Sequence, residues 1–272
     1  MPPVALVTGA AGGLGASTCA ALRAAGFDVV ATDRSADLLA DVAGSPGYRV
    51  LPLDVTDTGS ARAVAAQLDR LDVLVNNAGI IGYFPVVESD PDLVAAHFQV
   101  NTLGALRTTH ACLDLLAAAH GRVINVTSES YRFRNPFQIY QTTKLALEGL
   151  SDVLRRELAP LGVQVATVRP GAIDTDLFAA MTSIVNPVPG SRLERPFGRF
   201  ARSLGRRPPS RVSAPDEVAA VIVRAATARR MHPHYAINNM LALRVAAALP
   251  TRVADVAVAR ILGRSLNARE GP

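Results

Sequence analysis

Three observations predict an α/β fold built on a doubly wound parallel sheet. Short apolar runs rich in Val, Ile and Leu recur along the chain, they do not alternate with polar residues, and segments of helical length separate them. Strands covered by helices on both faces have this pattern, because neither face meets water. The 272 residues are 49% hydrophobic and only 19% charged, enough to bury a sizeable core. The same composition excludes disorder, collagen and coiled coil.

The elements follow in order. The first run, Val4 to Val7, leads into a glycine-rich turn and a helix over Leu14 to Ala25, where apolar residues return every three or four positions. Runs at Val29 to Thr32, Arg49 to Leu53, Val73 to Val75, Val123 to Val126 and Val163 to Val168 supply five more strands. Ala61 to Leu71 reads as helix, as does the segment from Tyr140 to Leu158. Six βα units fit, and no repeat or linker interrupts the chain before Thr175, so a single domain over 1–272 is expected. Residues 181 to 215 hold Pro, Gly and a cluster of arginines without strong periodicity. An irregular insertion after the sixth strand, about 176–214, is expected to lie as a lid over the carboxyl ends of the strands. A helix then starts near Pro215 and runs to about Arg229. The Ala- and Val-rich stretch 240–266, broken by Pro250, is expected to add one or two packing helices.

Composition also narrows function. Cys19 and Cys112 lie far apart in apolar surroundings with no metal-ligand spacing, which argues for a reducing, cytoplasmic setting and no metal. Glycines 9, 12, 13 and 15 interrupt the uncharged start, and no 20-residue apolar run occurs, so neither a signal peptide nor a membrane span is expected. The formal charge is +5, but with 5% aromatic residues and no Trp nucleic-acid binding is not expected.

Two motifs carry chemistry. Thr8-Gly9-Ala10-Ala11-Gly12-Gly13-Leu14-Gly15 joins the first strand to its helix. Glycines there let the backbone turn tightly and approach a pyrophosphate, which the free N–H groups and dipole of a helix N-terminus favour. Asp33, at the end of the second strand, can accept hydrogen bonds from ribose hydroxyls and repel a 2′-phosphate, favouring NAD; Arg34 beside it leaves NADP open. Asp33 has a second reading, as a cap for the segment starting at Ser35. The other motif is Tyr140-Gln-Thr-Thr-Lys144, whose i, i+4 spacing puts phenol and ammonium on one helix face. A cation there is expected to lower the phenol's pKa towards a useful range. The chain has 27 Arg and one Lys, and that Lys is Lys144. A compact ammonium can sit beneath a phenol and bond a ribose where a planar guanidinium does not fit.

Together these residues resemble the short-chain dehydrogenase/reductase family over about residues 3 to 230. The matching motifs are T-G-x-x-x-G-x-G at 8 to 15, Asp54-Val55, Asn76-Asn77-Ala78-Gly79, Asn101, Ser128, Tyr140-x-x-x-Lys144 and Pro170-Gly171-x-x-x-Thr175. Leu147 to Leu158 and Arg229 to Tyr235 look most like the branch acting on hydroxysteroids, retinoids and similar lipophilic alcohols. The resemblance implies a Rossmann-type sheet, a nicotinamide cofactor, hydride transfer with an alcohol or ketone, and a homodimer or homotetramer. It implies Tyr140 as general acid/base, Lys144 lowering its pKa and binding the nicotinamide ribose, Ser128 bonding the substrate oxygen and Asn101 supporting a water relay. Gly9, Gly13, Leu14, Gly15, Asp33 and Arg34 would hold the dinucleotide; Asp54 and Val55 would contact adenine. Asn77, Ala78 and Gly79 would line the adenosine side, and Pro170, Gly171 and Thr175 the carboxamide end. Ser128 stands 12 residues before Tyr140 where many members have 13, so Ser130 is a competitor.

Charge is concentrated in one place. Residues 192–211 hold seven arginines and one acid, leaving the rest nearly balanced at 21 basic to 22 acidic. Over a substrate site, with Arg132 and Arg134 also near the expected mouth, this charge would attract an anionic substrate, an acyl carrier or an anionic membrane surface. A solvated loop is the plainer reading. Two alternatives to a soluble dehydrogenase stay open: a dinucleotide-binding regulatory protein without catalysis, and a membrane-associated reductase of lipids or acyl thioesters.

Overall fold

A computed structural model of the chain describes residues 1–40, 43–132, 135–175, 190–205, 212–238 and 249–263. Its strands are β1 (Val4–Thr8), β2 (Asp28–Asp33), β3 (Tyr48–Pro52), β4 (Val73–Asn76), β5 (Arg122–Val126), β6 (Gln164–Pro170) and β7 (His234–Ile237). They form one parallel sheet in the order β3-β2-β1-β4-β5-β6-β7. The chain runs outward from β1 to β3, then returns to lay β4 against the other side of β1. That reversal opens a crevice at the carboxyl ends of β1 and β4, where ligands bind in sheets of this kind.

Helices cover both faces. They are α1 (Gly13–Ala24), α2 (Thr58–Ala65), α3 (Pro91–Phe98), α4 (Gly104–Ala111), α5 (Leu113–Ala118), α6 (Ile139–Glu157), α7 (Glu194–Gly205), α8 (Pro215–Thr227) and α9 (Thr251–Leu262). Alternate residues of each central strand enter opposite cores. Ala5 and Val7 of β1, with Val75, Ile124 and Val168, pack on Leu22 of α1 and Ile222 of α8. Leu6, with Val30, Leu74, Val123 and Val165, packs on Val64, Leu116 and Leu154 on the other face. Each such aliphatic side chain, removed from water, contributes about 2 kcal/mol.

The helix expected over Ala61 to Leu71 is Thr58–Ala65, and three further elements depart from the sequence expectation. β7 is a seventh strand, paired with β6 from Thr167–His234 to Pro170–Ile237. It is a four-residue edge strand with only Tyr235 buried, so it lacks the continuous apolar run that marked the others. Within the expected lid, α7 is regular helix: Phe197 and Phe200 share its inner face, with Leu193 packed against them just before it, a period that Pro196 and Gly198 obscured. Residues 176–189 and 206–211 of that stretch lie outside the described residues, as does Arg134. Of the expected C-terminal helical stretch, α9 is described, while 240–248 and 264–266 lie outside. Gln99–Leu103, between α3 and α4, forms a π-helical turn that carries Asn101.

Candidate active site

The carboxyl ends of β1, β2, β4, β5 and β6 surround a cleft of about 660 Å³. Its floor at one end is the glycine turn. Gly9 has φ +66°, and a side chain there would stand 2.8 Å from Ala78 Cα. A Cβ on Gly15 would meet the Gly9 carbonyl oxygen at 2.0 Å, so α1 begins flush against the turn. Its first turn holds no acid and no side chain caps it. Gly12, Gly13, Leu14 and Gly15 line the cleft, so this helix end faces it as a cradle for an anion. Asn77 holds the turn in place, its amide donating at 3.0 Å to the carbonyls of both Thr8 and Gly9, while the Thr8 hydroxyl accepts from the N–H groups of Asn77 and Ala78.

Asp33 also lies on the cleft wall, and its carboxylate accepts from the N–H groups of Ala11 (3.1 Å) and Arg34 (2.8 Å). It does not cap the next segment; the Ser35 hydroxyl does, accepting from Asp37 N–H. Arg34, Asp54 and Val55 line the same end. The Asp54 carboxylate accepts from the Thr56 hydroxyl and N–H, bonds that hold its pKa below the usual range. Opposite, Pro170, Gly171 and Thr175 follow β6 into the cleft. Gly171 is wedged against β7, since a Cβ would meet the Asn238 carbonyl at 2.3 Å, and the Thr175 methyl faces Gly13. The glycine turn, Asp33, Asp54 and the Pro170–Thr175 end thus line one cleft.

Ser128, Tyr140 and Lys144 meet at the centre of the cleft. α6 presents Tyr140 and Lys144 on one face, and Ser128 follows β5. The Ser128 hydroxyl lies on the Tyr140 side of the cleft, where it counters part of the rise in the phenol's pKa. Ser130 stands behind it, its hydroxyl and N–H donating to Ser128 Oγ at 2.9 and 3.2 Å. With two donors already aimed at its oxygen, the Ser128 hydroxyl has its own proton to offer forward. Desolvation pushes the Tyr140 phenol up to about 12, with the Ser128 hydroxyl opposing. Lys144 is buried, its Nζ donating to the Val126 carbonyl at 2.8 Å and lying 5.6 Å from the centre of the Tyr140 ring. Desolvation brings its pKa down to about 8, and the Glu148 carboxylate opposes that. Burial sets the direction of both shifts, the phenol's upward and the ammonium's downward.

Asn101 is the one expected site residue that does not line the cleft. Its side chain bridges the backbone, accepting from Ile80 N–H and donating to the Ile80 carbonyl and the Thr143 hydroxyl. That clamp ties the loop after β4 to α6 beside Lys144. Arg132 is exposed, stacked 5.0 Å over the Tyr131 ring.

Sequence reasoning missed two pairs. Tyr83 is buried in the cleft wall, its hydroxyl accepting from Gln138 at 2.7 Å. It stands on a loop 57 residues before Tyr140, with no local signal. Glu148, one turn after Lys144, accepts from Arg169 at 2.5 Å and from the Thr127 hydroxyl at 2.5 Å. Its i, i+4 relation to Lys144 was a signal within the sequence; Arg169 was not. Among the described residues no group of His, Cys, Asp or Glu could hold a metal ion, and no helix is long and apolar enough to cross a membrane.

Fold and cleft together define a nicotinamide-dependent oxidoreductase acting on CH–OH groups. A family model described as short chain dehydrogenase matches residues 3–184, and the chain belongs to that family. An oxidoreductase of Botryotinia fuckeliana, BOA17, is 32% identical over 233 residues, 82% of this chain and 84% of that protein. Retinol dehydrogenase 5 of Mus musculus is 38% identical over 182 residues, 62% of this chain and 56% of its own length. Among solved structures, a short-chain dehydrogenase from Burkholderia cenocepacia in complex with NADP superposes with a TM-score of 0.74 at 28% identity, covering 97% of this chain and 98% of that one.

Proposed function

We propose that this protein interconverts a lipophilic alcohol, of steroid, retinoid or lipid type, and its ketone, with NAD as the preferred cofactor. The observation that carries the reading is the meeting of Ser128, Tyr140 and Lys144 in one cleft with the glycine cradle. Gly9, Gly13, Leu14 and Gly15 would hold the pyrophosphate, Asp33 the adenosine ribose, and Asp54 and Val55 the adenine. Asn77, Ala78 and Gly79 would line the adenosine, with Pro170, Gly171 and Thr175 at the carboxamide. The bound nicotinamide supplies the carbon that gives or takes the hydride. Tyr140 moves the proton at the substrate oxygen, and Ser128 donates a hydrogen bond to the same oxygen. Near neutral pH the phenol keeps its proton, which sets the resting site to donate it to a ketone. Lys144 supplies positive charge when the phenol ionises in the opposite direction, and bonds the ribose; Asn101 positions the loop beside it. Asp33 supports NAD because a carboxylate there repels a 2′-phosphate.

Lipophilic substrates are supported by Ile80, Ile81 and Tyr83 on the cleft wall, and by the likeness to a retinol dehydrogenase. The reading includes a single catalytic domain working as a homodimer or homotetramer in the cytoplasm; the buried free thiols of Cys19 and Cys112 suit a reducing compartment. Tyr140→Phe tests the centre of it: turnover should fall by at least about a hundredfold with cofactor binding intact. Unchanged turnover would defeat the assignment. Failure of the wild type on a broad panel of alcohols and ketones would favour the regulatory alternative.

A further inference from the structure

The inner and outer faces of α7 differ sharply. Inward, Phe197 and Phe200 pack against Phe137, with ring centres 5.1 and 5.5 Å away, and Phe200 lies 6.1 Å from Tyr83 at the wall of the cleft. Phe137 is held at φ +65°, a conformation a bulky residue adopts only when its surroundings impose it. Outward, Arg195, Arg199 and Arg202 follow at four- and three-residue spacing, extended by Arg192 one turn earlier. All four are exposed, and none makes an ion pair among the described residues. The Arg199 guanidinium donates to the Leu262 carbonyl, joining the basic stripe to the end of α9. Leu249 just before α9, with Val253, Val256 and Ile261 along it, forms a second stripe. These four aliphatic side chains are 38–49% exposed, and Arg252 and Arg260 stand among them.

We propose that the outer face of α7 and α9 binds an anionic phospholipid surface. Arginines that reach phosphates beside an aliphatic stripe that enters the acyl boundary are the two elements of interfacial attachment. The two helices hold five arginines against Glu194 and Asp255. A second copy of the chain is disfavoured on this face, since a two-fold contact sets a patch against itself and would oppose the arginines of both copies. An acidic protein would satisfy the arginines but gives no use to the aliphatic stripe. The same helix packs its aromatic side towards Tyr83 of the cleft wall, so the surface adjoins the cleft that would take a lipid-dissolved substrate. The attachment itself does not depend on the reaction or the substrate.

The test is flotation of the full chain with vesicles of phosphatidylcholine alone or with about a third phosphatidylserine, at low and high salt. The expected result is binding to the anionic vesicles only, weakened by salt. Arg192→Glu/Arg195→Glu/Arg202→Glu should weaken binding by at least about a hundredfold, at roughly a factor of five to ten for each charge. Val253→Ser/Ile261→Ser should weaken it roughly tenfold. Both sets lie on exposed positions, so cofactor binding and melting temperature should match the wild type. No flotation, or equal binding to neutral and anionic vesicles, overturns the proposal. So does a wild-type dimer that the α9 variant converts to monomer without a change in flotation. Binding to an acidic polypeptide that competes with vesicles and ignores the α9 substitutions assigns the face to a protein partner and overturns it too.

Discussion

Replacing Glu148 with Gln separates the packing role of the Glu148–Arg169 pair from its electrostatic effect on Lys144. The pair is close at 2.5 Å and nearly enclosed, with side-chain exposures of 8% and 15%. Removing one charge from such a pair leaves the other buried without its counter-charge, a cost of about 3–5 kcal/mol. Gln keeps the shape and still accepts from the Thr127 hydroxyl, so the lower figure, about 3 kcal/mol, applies. For a chain of this length that lowers Tm by roughly 6–12 °C. The second effect reaches the active site. Glu148 raises the pKa of Lys144 against the desolvation that lowers it to about 8. Without the carboxylate that pKa falls further, so the cation is lost at lower pH. The alkaline fall in kcat/KM should therefore move to lower pH, while the cofactor's dissociation constant at pH 6 stays within about threefold. Thermal melts and pH-rate profiles of both proteins measure the two effects. An alkaline limb that does not move, in a variant that has lost stability, refutes the coupling and leaves the pair a packing feature. No change in Tm refutes the buried-pair argument itself.

Further outcomes follow from the same geometry. Lys144 has a folded pKa near 8 against an ordinary 10.5, so between those values the unfolded chain keeps a proton the folded one has released, and stability rises with pH. Lys144→Met should remove that rise, read from urea denaturation at pH 7.5 and 9.5; equal slopes in both proteins refute the burial argument. Asp33→Ser should improve NADPH binding at least tenfold relative to NADH, measured by titrating each; a wild type that already binds NADPH more tightly overturns the NAD assignment. Gly15→Ala forces a methyl to 2.0 Å from the Gly9 carbonyl oxygen, which should cost about 2 kcal/mol or more and abolish cofactor binding, as calorimetric titration would report.

Much of the site was legible because its elements are local. Glycine spacing, the Asp at a strand end and the Tyr–Lys pair are all short-range patterns, and the parallel sheet brings strand ends together wherever they fall in the chain. β7 was hidden because an edge strand need not be apolar on both faces. α7 was hidden because a proline and a glycine interrupt its period, although Phe197 and Phe200 anchor it. Ser130, a competitor by spacing, stands behind Ser128 because the short helical turn over Glu129–Arg132 folds it back onto Ser128 Oγ.

By itself the sequence determined the α/β class, the first six strands, and the residue types at the cleft. These depend on burial and backbone freedom, which each segment encodes alone. Only the tertiary structure decided the protonation balance. The phenol's pKa near 12 and the ammonium's near 8 come from how deeply each group is enclosed. The partner that opposes the ammonium's shift, Glu148, is itself held by Arg169 from another element. Desolvation and charge act through space, and space is assigned by packing between segments far apart in the chain.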